Sequence, residues 1–424
     1  MKEKIYIDGF AGLNNFEMEL NRINVLIGPQ ASGKSVVAKL VYFCRWFPSY
    51  FFSQNQKYGS TEVDKIAKDE LRKMFHLNVF NQSFDITYEN SYLIYSITYT
   101  PNMNVLNSFD NMESLMITSV QTGDPEKQSS SYDKIADNLF YLLKSHFGYN
   151  GGNHYLKIMD LFDEENSKTN FIPASRNLLT QVRQIRLKVF DEGIQSSIDP
   201  FLSRFVASYH RIREDFYIDN NKSLTSTKGD IVNRLIKEIL NADVEFINNE
   251  DYLVYNDGRR NALTQASSGE QALVPVLLQL KYIYEATRNE SIFFEEPELH
   301  IFPKFQKLLL QLLITVFNDS GNDSNLFITT HSPYILTSLN NLLQAGEMEK
   351  HLSKEKLKAL EELVPKEYRI NSKDFSAFQI INGKAKNIVD DETGLIAENI
   401  IDEVSDNDFD LFSQLIELDY GVES

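Results

Sequence analysis

Apolar positions recur along the chain with two different periods, and the switches between them predict a mixed α/β protein. Residues 4–8 and 16–20 alternate singly and predict two strands around the turn Gly9-Phe10-Ala11-Gly12. Residues 23–27, Ile-Asn-Val-Leu-Ile, form an apolar strand that stops at Gly28. A helix is expected from about Lys34, carrying Val36, Val37, Leu40, Val41 and Phe43. The stretch 83–100 alternates again and predicts an antiparallel hairpin or meander. Residues 121–131 are polar with Gly, Pro and Ser and predict a mobile loop, and 132–146 and 177–241 are mainly helical in pattern. The Asp199-Pro200 step breaks the second helical block, whose heptad signal is too short for a long coiled coil. Strand patterns return at 252–256, 291–295 and 326–330, and 376–389 resembles a hairpin with Asn382-Gly383 at its tip. No internal repeat or low-complexity segment interrupts this order.

Composition narrows the picture. A chain of 424 residues with 29 Phe and 21 Tyr can bury a large core, as one α/β domain with insertions or two modest domains. No run of about 18 apolar residues suggests a membrane span. The opening Met1-Lys2-Glu3-Lys4 leads into a strand and not a signal-peptide core. Cys44 is the single cysteine, which fits a reducing compartment such as the cytoplasm. With one cysteine and seven histidines lacking ligand spacing, a zinc site has no support. The net charge of −18 argues against coating DNA by bulk charge, though a local basic patch could still bind it. No Lys or Arg follows Lys386, whereas Asp390, Asp391, Glu392, Asp402, Glu403, Asp406, Asp408 and Asp410 do; this is a solvated acidic face or a docking surface for a basic partner.

Four motifs carry chemistry. Gly28-Pro29-Gln30-Ala31-Ser32-Gly33-Lys34-Ser35 matches G-x-x-x-x-G-K-S between a strand and a helix. Such a loop turns backbone N–H groups onto phosphate oxygens, with the helix N-terminus behind them. Lys34 would reach the β- and γ-phosphates of ATP, and Ser35 would ligate Mg²⁺. Ser291-Ile-Phe-Phe-Glu295-Glu296-Pro297-Glu298 ends an apolar strand in two acids. In this Walker B arrangement Glu295 would hold Mg²⁺ and Glu296 would activate water. Ser267-Ser268-Gly269-Glu270-Gln271 before a helix resembles the ABC signature L-S-G-G-Q, with Ser for Leu and Glu for the second Gly. Ser268, Gly269 and Gln271 would then contact a nucleotide held by another subunit; the plain alternative is a helix start capped by Ser268. Phe327-Ile-Thr-Thr-His331-Ser-Pro333 resembles the switch loop, where His331 would donate to the γ-phosphate.

The order of these motifs resembles the OLD-like branch of the ABC/SMC-related ATPases, whose relatives include RecF-like repair proteins and ATPase subunits of phage-defence systems such as Septu, Gabija and PARIS. The resemblance implies an ABC/SMC-like P-loop NTPase head with an antiparallel β lobe and a helical insertion. It divides the chain into 1–176, an N-terminal ATPase lobe, 177–241, a helical insertion, and 242–424, a C-terminal ATPase lobe. It puts Glu298 and His300 in the D-loop region, at or near a subunit interface. It also sets Phe171-Ile-Pro-Ala-Ser-Arg176 near the Q-loop, where Arg176 has either a functional role or that of a salt bridge. The expected catalytic residues are Lys34, Glu296 and His331. Two chains would sandwich ATP as a homodimer or larger homo-oligomer. The function implied is an ATP-gated sensor or scaffold in antiphage defence, acting with a separate effector such as a nuclease or toxin. The alternative is a RecF/SMC-like repair or recombination ATPase on duplex DNA. A non-hydrolysing structural module is a third class, which Glu296 argues against. A resident Toprim nuclease would need Asp406-Asn407-Asp408 in a strand, turn and helix that the pattern there does not supply.

Overall fold

The computed structural model describes residues 3–58, 70–75, 82–90, 93–99, 115–121, 169–178, 199–214, 224, 231–247, 250–286, 290–321 and 324–397. Its centre is a six-stranded sheet. Strand β3 (Ile23–Ile27) lies between β12 (Asn325–Thr330) and β13 (Phe375–Ile381), and β11 (Ser291–Glu295) and β7 (Thr169–Ile172) follow beyond β12. All five run parallel; β14 (Lys384–Asn387) pairs antiparallel with β13 and closes the edge.

Both faces of a parallel sheet must be covered, and the alternation of side chains shows how. Leu26, Phe171, Phe293, Phe327 and Ile380 face one core. Val25, Ile172, Ile292, Phe294, Leu326, Ile328 and Ala377 face the other. On the first face lies α1 (Lys34–Tyr58), beneath an antiparallel sheet. That sheet is ordered β2-β1-β4-β5-β6, from β1 (Glu3–Asp8), β2 (Phe16–Leu20), β4 (Phe84–Glu89), β5 (Leu93–Tyr99) and β6 (Leu115–Gln121). On the second face pack α2 (Pro200–Ile212), α3 (Ile231–Leu240), α4 (Ser268–Ala286), α5 (Pro303–Asp319) and α6 (Pro333–Glu349). A three-stranded sheet of β8 (Ala242–Ile247), β9 (Glu250–Tyr255) and β10 (Arg260–Ala262) adjoins α4, and α7 (Lys354–Leu363) follows α6.

The predicted β1–β3, α1, the β4–β5 hairpin, β9, β11, β12 and the β13–β14 hairpin are all present. The hairpin tip has Asn382 and Gly383 at φ of 50° and 73°, the left-handed pair that an Asn-Gly turn supplies. The Asp199-Pro200 step does interrupt the helical block: Asp199 caps α2 by accepting from the Phe201 N–H at 2.7 Å, and Pro200 occupies its first turn. Of the predicted loop at 121–131, Gln121 ends β6 and the rest lies outside the described residues, as do the helix at 132–146, much of 177–241 and Asp406-Asn407-Asp408. Strands β6, β7, β8 and β10 were not expected. Among the described residues, no helix is long and apolar enough to cross a membrane.

Two features rigidify the layer beneath the P-loop. Phe327, Phe293 and Phe171 stack across adjacent strands at centroid separations of 5.4 and 6.1 Å, and Tyr42 of α1 meets the last two edge-on. Such pairs add roughly 0.5–1.5 kcal/mol each beyond area burial. Arg45 of α1 grips the Glu3 carboxylate of β1 through two hydrogen bonds of 2.8 and 2.9 Å, and the Tyr88 hydroxyl of β4 donates to the same group. Burial alone would raise the Glu3 pKa, but the charge and donors of Arg45 hold it below the usual carboxylate range.

Candidate active site

The parallel strands place the four motifs along one edge. β3 runs into the P-loop, its neighbour β12 ends at Thr330 before His331, and β11 beside β12 ends at Glu295. The carboxyl ends of three adjacent strands thus carry the loop, the acids and the histidine.

In the P-loop, Ala31 and Gly33 take φ of 61° and 103°. A Cβ on Gly33 would also stand 2.8 Å from the Leu13 side chain, so only glycine fits there. Lys34 is buried and its Nζ donates to the Gly28 and Pro29 carbonyls at 2.7 and 2.8 Å. Burial pulls its pKa down, with Glu296 and Glu298 opposing. The ammonium is therefore held across the loop's own carbonyls, within the curl. Ser32 Oγ is buried and has no hydrogen-bond partner in the chain. A buried hydroxyl without a partner inside such a loop is a group that a phosphate oxygen could satisfy.

Glu295 is also buried, and burial pushes its pKa up. Lys39, the Ala174 N–H and the Ser35 hydroxyl act to lower it, and Asp199 adds to the rise. Oε2 accepts from Ala174 N at 3.1 Å, while Oε1 is buried and without a hydrogen-bond partner. Glu295 thus offers a hard oxygen with unused capacity beside the Ser35 hydroxyl, a donor set that suits Mg²⁺. The two could hold that ion.

Adjacent residues of a strand diverge by alternation, but β11 ends at Glu295. Glu295 and Glu296 diverge instead because Glu296 leaves the strand in the left-handed region, at φ 45°. Its neighbours hold it there: the Glu296 N–H donates to Thr329 O at 2.8 Å, and its carbonyl accepts from Arg176 Nη2 at 2.8 Å. Arg176 proves to be a buried clamp on backbone. Its Nη1 also donates to Glu295 O at 2.9 Å and Pro173 O at 3.2 Å, and its guanidinium lies over the Phe294 ring. Burial draws its pKa down to about 10, against Glu298, Glu295 and Glu296.

Glu298 turns inward. Its Oε1 accepts from Thr330 Oγ1 and His331 N, both at 2.8 Å, and lies 3.2 Å from His331 Nδ1. The His331 ring is half exposed, with Nδ1 3.8 Å from Glu296 Oε1. His300 is exposed, at φ 63°, and its ring contacts Asn177.

At the signature, the cap is Ser267 and not Ser268. Ser267 Oγ accepts from the Glu270 N–H at 3.3 Å and Glu270 Oε2 accepts from the Ser267 N–H at 2.9 Å, a reciprocal capping box. Glu270 also accepts from the Tyr255 hydroxyl at 2.6 Å, and these bonds lower its pKa against burial. The Glu270 carboxylate is thus engaged within the loop and by Tyr255. Gln271 donates to Ala266 O at 2.8 Å, and Gly269 backs on the His300 carbonyl, 2.8 Å from where a Cβ would stand. The first turn of α4 therefore rests on the three-stranded sheet and the 297–300 turn, with Ser268 left at the surface.

A family model for an AAA ATPase domain matches residues 1–336. No curated protein matches the chain. Among solved structures, the chain is similar to the SMC head domain from Thermotoga maritima, at 12% identity over 92% of this chain and 98% of that chain, with a TM-score of 0.37. It is also similar to the Smc head domain with an extended coiled coil bound to the C-terminal domain of ScpA, from Pyrococcus furiosus, at 10% identity over 91% and 95%, with a TM-score of 0.38. The recombination mediator protein RecF is a third, at 14% identity over 91% and 98%, with a TM-score of 0.31.

Proposed function

This chain belongs to the AAA ATPase domain family, and from that premise we propose that it is an ATP-gated switch whose working unit is a dimer. Gly28 to Ser35 wrap the phosphates of ATP, and Lys34 leaves its carbonyl partners for the β- and γ-oxygens. Ser35 and Glu295 hold Mg²⁺, which when bound neutralises charge on the phosphates. Glu296 takes a proton from the attacking water, and His331 contacts the γ-phosphate. Ser268, Gly269 and Gln271 complete the site of a second copy. The 1–176 and 242–424 segments are two lobes of one ATPase, with 177–241 inserted between them.

The observation that carries this reading is convergence. Lys34, Glu295, Glu296 and His331 come from three neighbouring strand ends, and the buried orphan oxygens of Ser32 and Glu295 sit among them. The second copy is supported by exposed apolar side chains: Phe302 and Tyr334, 70% and 57% exposed, follow directly on the Glu298 turn and the His331 loop. Differential affinity for the γ-phosphate then couples ATP to assembly.

We further propose that the switch serves antiphage defence, with a separately encoded nuclease or toxin as effector. The net charge of −18 suits a protein partner better than bulk attraction to DNA. Duplex DNA in a dimer groove is the alternative. It draws on Arg259 and Arg260, exposed on the β9–β10 hairpin, though each already pairs with an acid, Asp257 and Glu245.

The test is a pull-down of tagged Glu296→Gln with Mg-ATP from its native cells, beside Lys34→Ala, with assembly mass by light scattering. A dimer or larger assembly with a stoichiometric protein partner is expected for Glu296→Gln alone. Co-purifying DNA without protein would favour the alternative, and a monomer indifferent to nucleotide would remove the sandwich.

A further inference from the structure

Three groups converge on one oxygen of Glu298. Thr330 Oγ1 and the His331 backbone N–H each donate to Oε1 at 2.8 Å, and the His331 ring places Nδ1 3.2 Å from it. The other acid facing this ring, Glu296, is at 3.8 Å, beyond hydrogen-bond reach. Nδ1 is the ring nitrogen nearest this acceptor, the atom on which a proton would give Oε1 a third donor. The carboxylate is buried at 6% exposure with Oε2 unpartnered, so it has no solvent to turn to.

The surrounding contacts hold this arrangement in place. Thr330 Oγ1 accepts from the Ser332 N–H at 3.0 Å, and Ser332 Oγ donates to Gln306 Oε1 at 2.9 Å. Gln306 Nε2 in turn donates to Ile301 O at 3.0 Å. The turn after β11 and the loop after β12 are therefore one hydrogen-bonded unit, with Glu298 at its centre.

We propose that Glu298 is the positioning residue of His331: it fixes the ring with Nδ1 inward, so that Nε2 is the nitrogen offered to the nucleotide. The proposal rests on the reading that His331 contacts the γ-phosphate. Donation from Nε2 to a phosphate oxygen uses the doubly protonated ring, and the Glu298 carboxylate is the counter-charge for that form. An orienting acid behind a working histidine acts on turnover through the ring and does not touch substrate.

The experiment is a double-mutant cycle on the full chain, reading kcat and KM for ATP with Glu298→Gln, His331→Ala and both together. Gln keeps an acceptor for Thr330 and the backbone N–H but loses the charge. Glu298→Gln is expected to lower kcat about tenfold with KM within about twofold, and to change kcat less than about twofold once His331 is Ala. An equal loss in both backgrounds would overturn the proposal and leave the His331 reading standing. Undiminished kcat in His331→Ala would remove that reading and the proposal with it. A readout independent of turnover is long-range ¹H–¹⁵N spectroscopy of histidine-labelled wild-type protein, with His331 assigned by its loss in His331→Ala. A proton on Nδ1 is expected, and a ring protonated on Nε2 alone would overturn the proposal even if Glu298→Gln fails to fold.

Discussion

Replacing Arg176 by alanine tests whether the end of the β11 strand is held by backbone capture. The guanidinium is fully buried and donates to three carbonyls, those of Pro173, Glu295 and Glu296. Hydrogen bonds to a charged group contribute about 1.5–3 kcal/mol each, and their loss leaves buried acceptors unpaired. Against this, the buried guanidinium carries a desolvation cost of its own, visible in its lowered pKa. Removing one side of a buried charged contact nets about 3–5 kcal/mol of destabilisation. An unfolding entropy of about 2.1 cal/mol/K per residue over 424 residues converts that to a Tm lower by about 3–6 °C. Turnover should suffer more, because Glu296 loses the contact that fixes its left-handed backbone; a displacement of about 1 Å costs on the order of 100-fold in kcat. Arg176→Lys retains the charge but cannot fork to three acceptors and should fall between. Scanning calorimetry and steady-state phosphate release would measure both. An alanine variant with Tm within about 1 °C of wild type and undiminished kcat would refute the clamp.

Other perturbations give distinct outcomes. Glu3 has a folded-state pKa below its ordinary 4.5, so its contribution is present above about pH 4.5 and is lost as pH falls through the lower folded value. Glu3→Gln should therefore lower the urea midpoint at neutral pH, and the gap to wild type should close on acidification; a gap that widens in acid contradicts the assignment. Gly346→Ala would ordinarily strengthen helix α6 by roughly 1 kcal/mol, but its Cβ would stand 1.9 Å from the Ile370 carbonyl. Net destabilisation of about 1–3 kcal/mol is expected from urea titration, and a more stable variant would show that α6 is free to move off that segment. Glu270→Gly would restore the second glycine of the signature it resembles, yet should cost about 0.5–2 kcal/mol by opening the capping box and releasing Tyr255. Equal or higher stability by thermal melt would count against the box.

Periodic segments and short-range chemistry were legible in the sequence. The β1–β3 pattern, the glycine loop and the Asn382-Gly383 turn specify their conformations through neighbours in the chain. Ser267-x-x-Glu270 is itself a capping-box pattern, and reading it would have named the right cap. Likewise β8 alternates, with Ala242, Val244 and Phe246 buried, and could have been read as a strand. β7 could not. Its four residues include Asn170, whose amide bonds Glu290 and whose carbonyl accepts from Gln279, so a polar residue sits where strand patterning calls for an apolar one. The roles of Arg176 and Glu298 were hidden for a related reason. Arg176 recognises main-chain carbonyls about 120 residues away, and main chain leaves no mark in the residue sequence. Glu298 meets Thr330 and His331 only because β11 and β12 are parallel neighbours.

The place of β3 in the sheet sets a timetable for the growing chain. Both of its partners, β12 and β13, are made roughly 300 or more residues later. The β13–β14 hairpin also supplies Ile380, whose carbonyl closes behind Gly28 at the base of the P-loop. At a synthesis rate of about 5–20 residues per second, the P-loop strand therefore waits for some tens of seconds with both edges unpaired. The antiparallel sheet has no such delay for its first four strands, whose pairings close within the first hundred residues. The nascent chain is thus expected to fold its β lobe early and to acquire nucleotide affinity last, as a single late event when residues near 387 leave the ribosome.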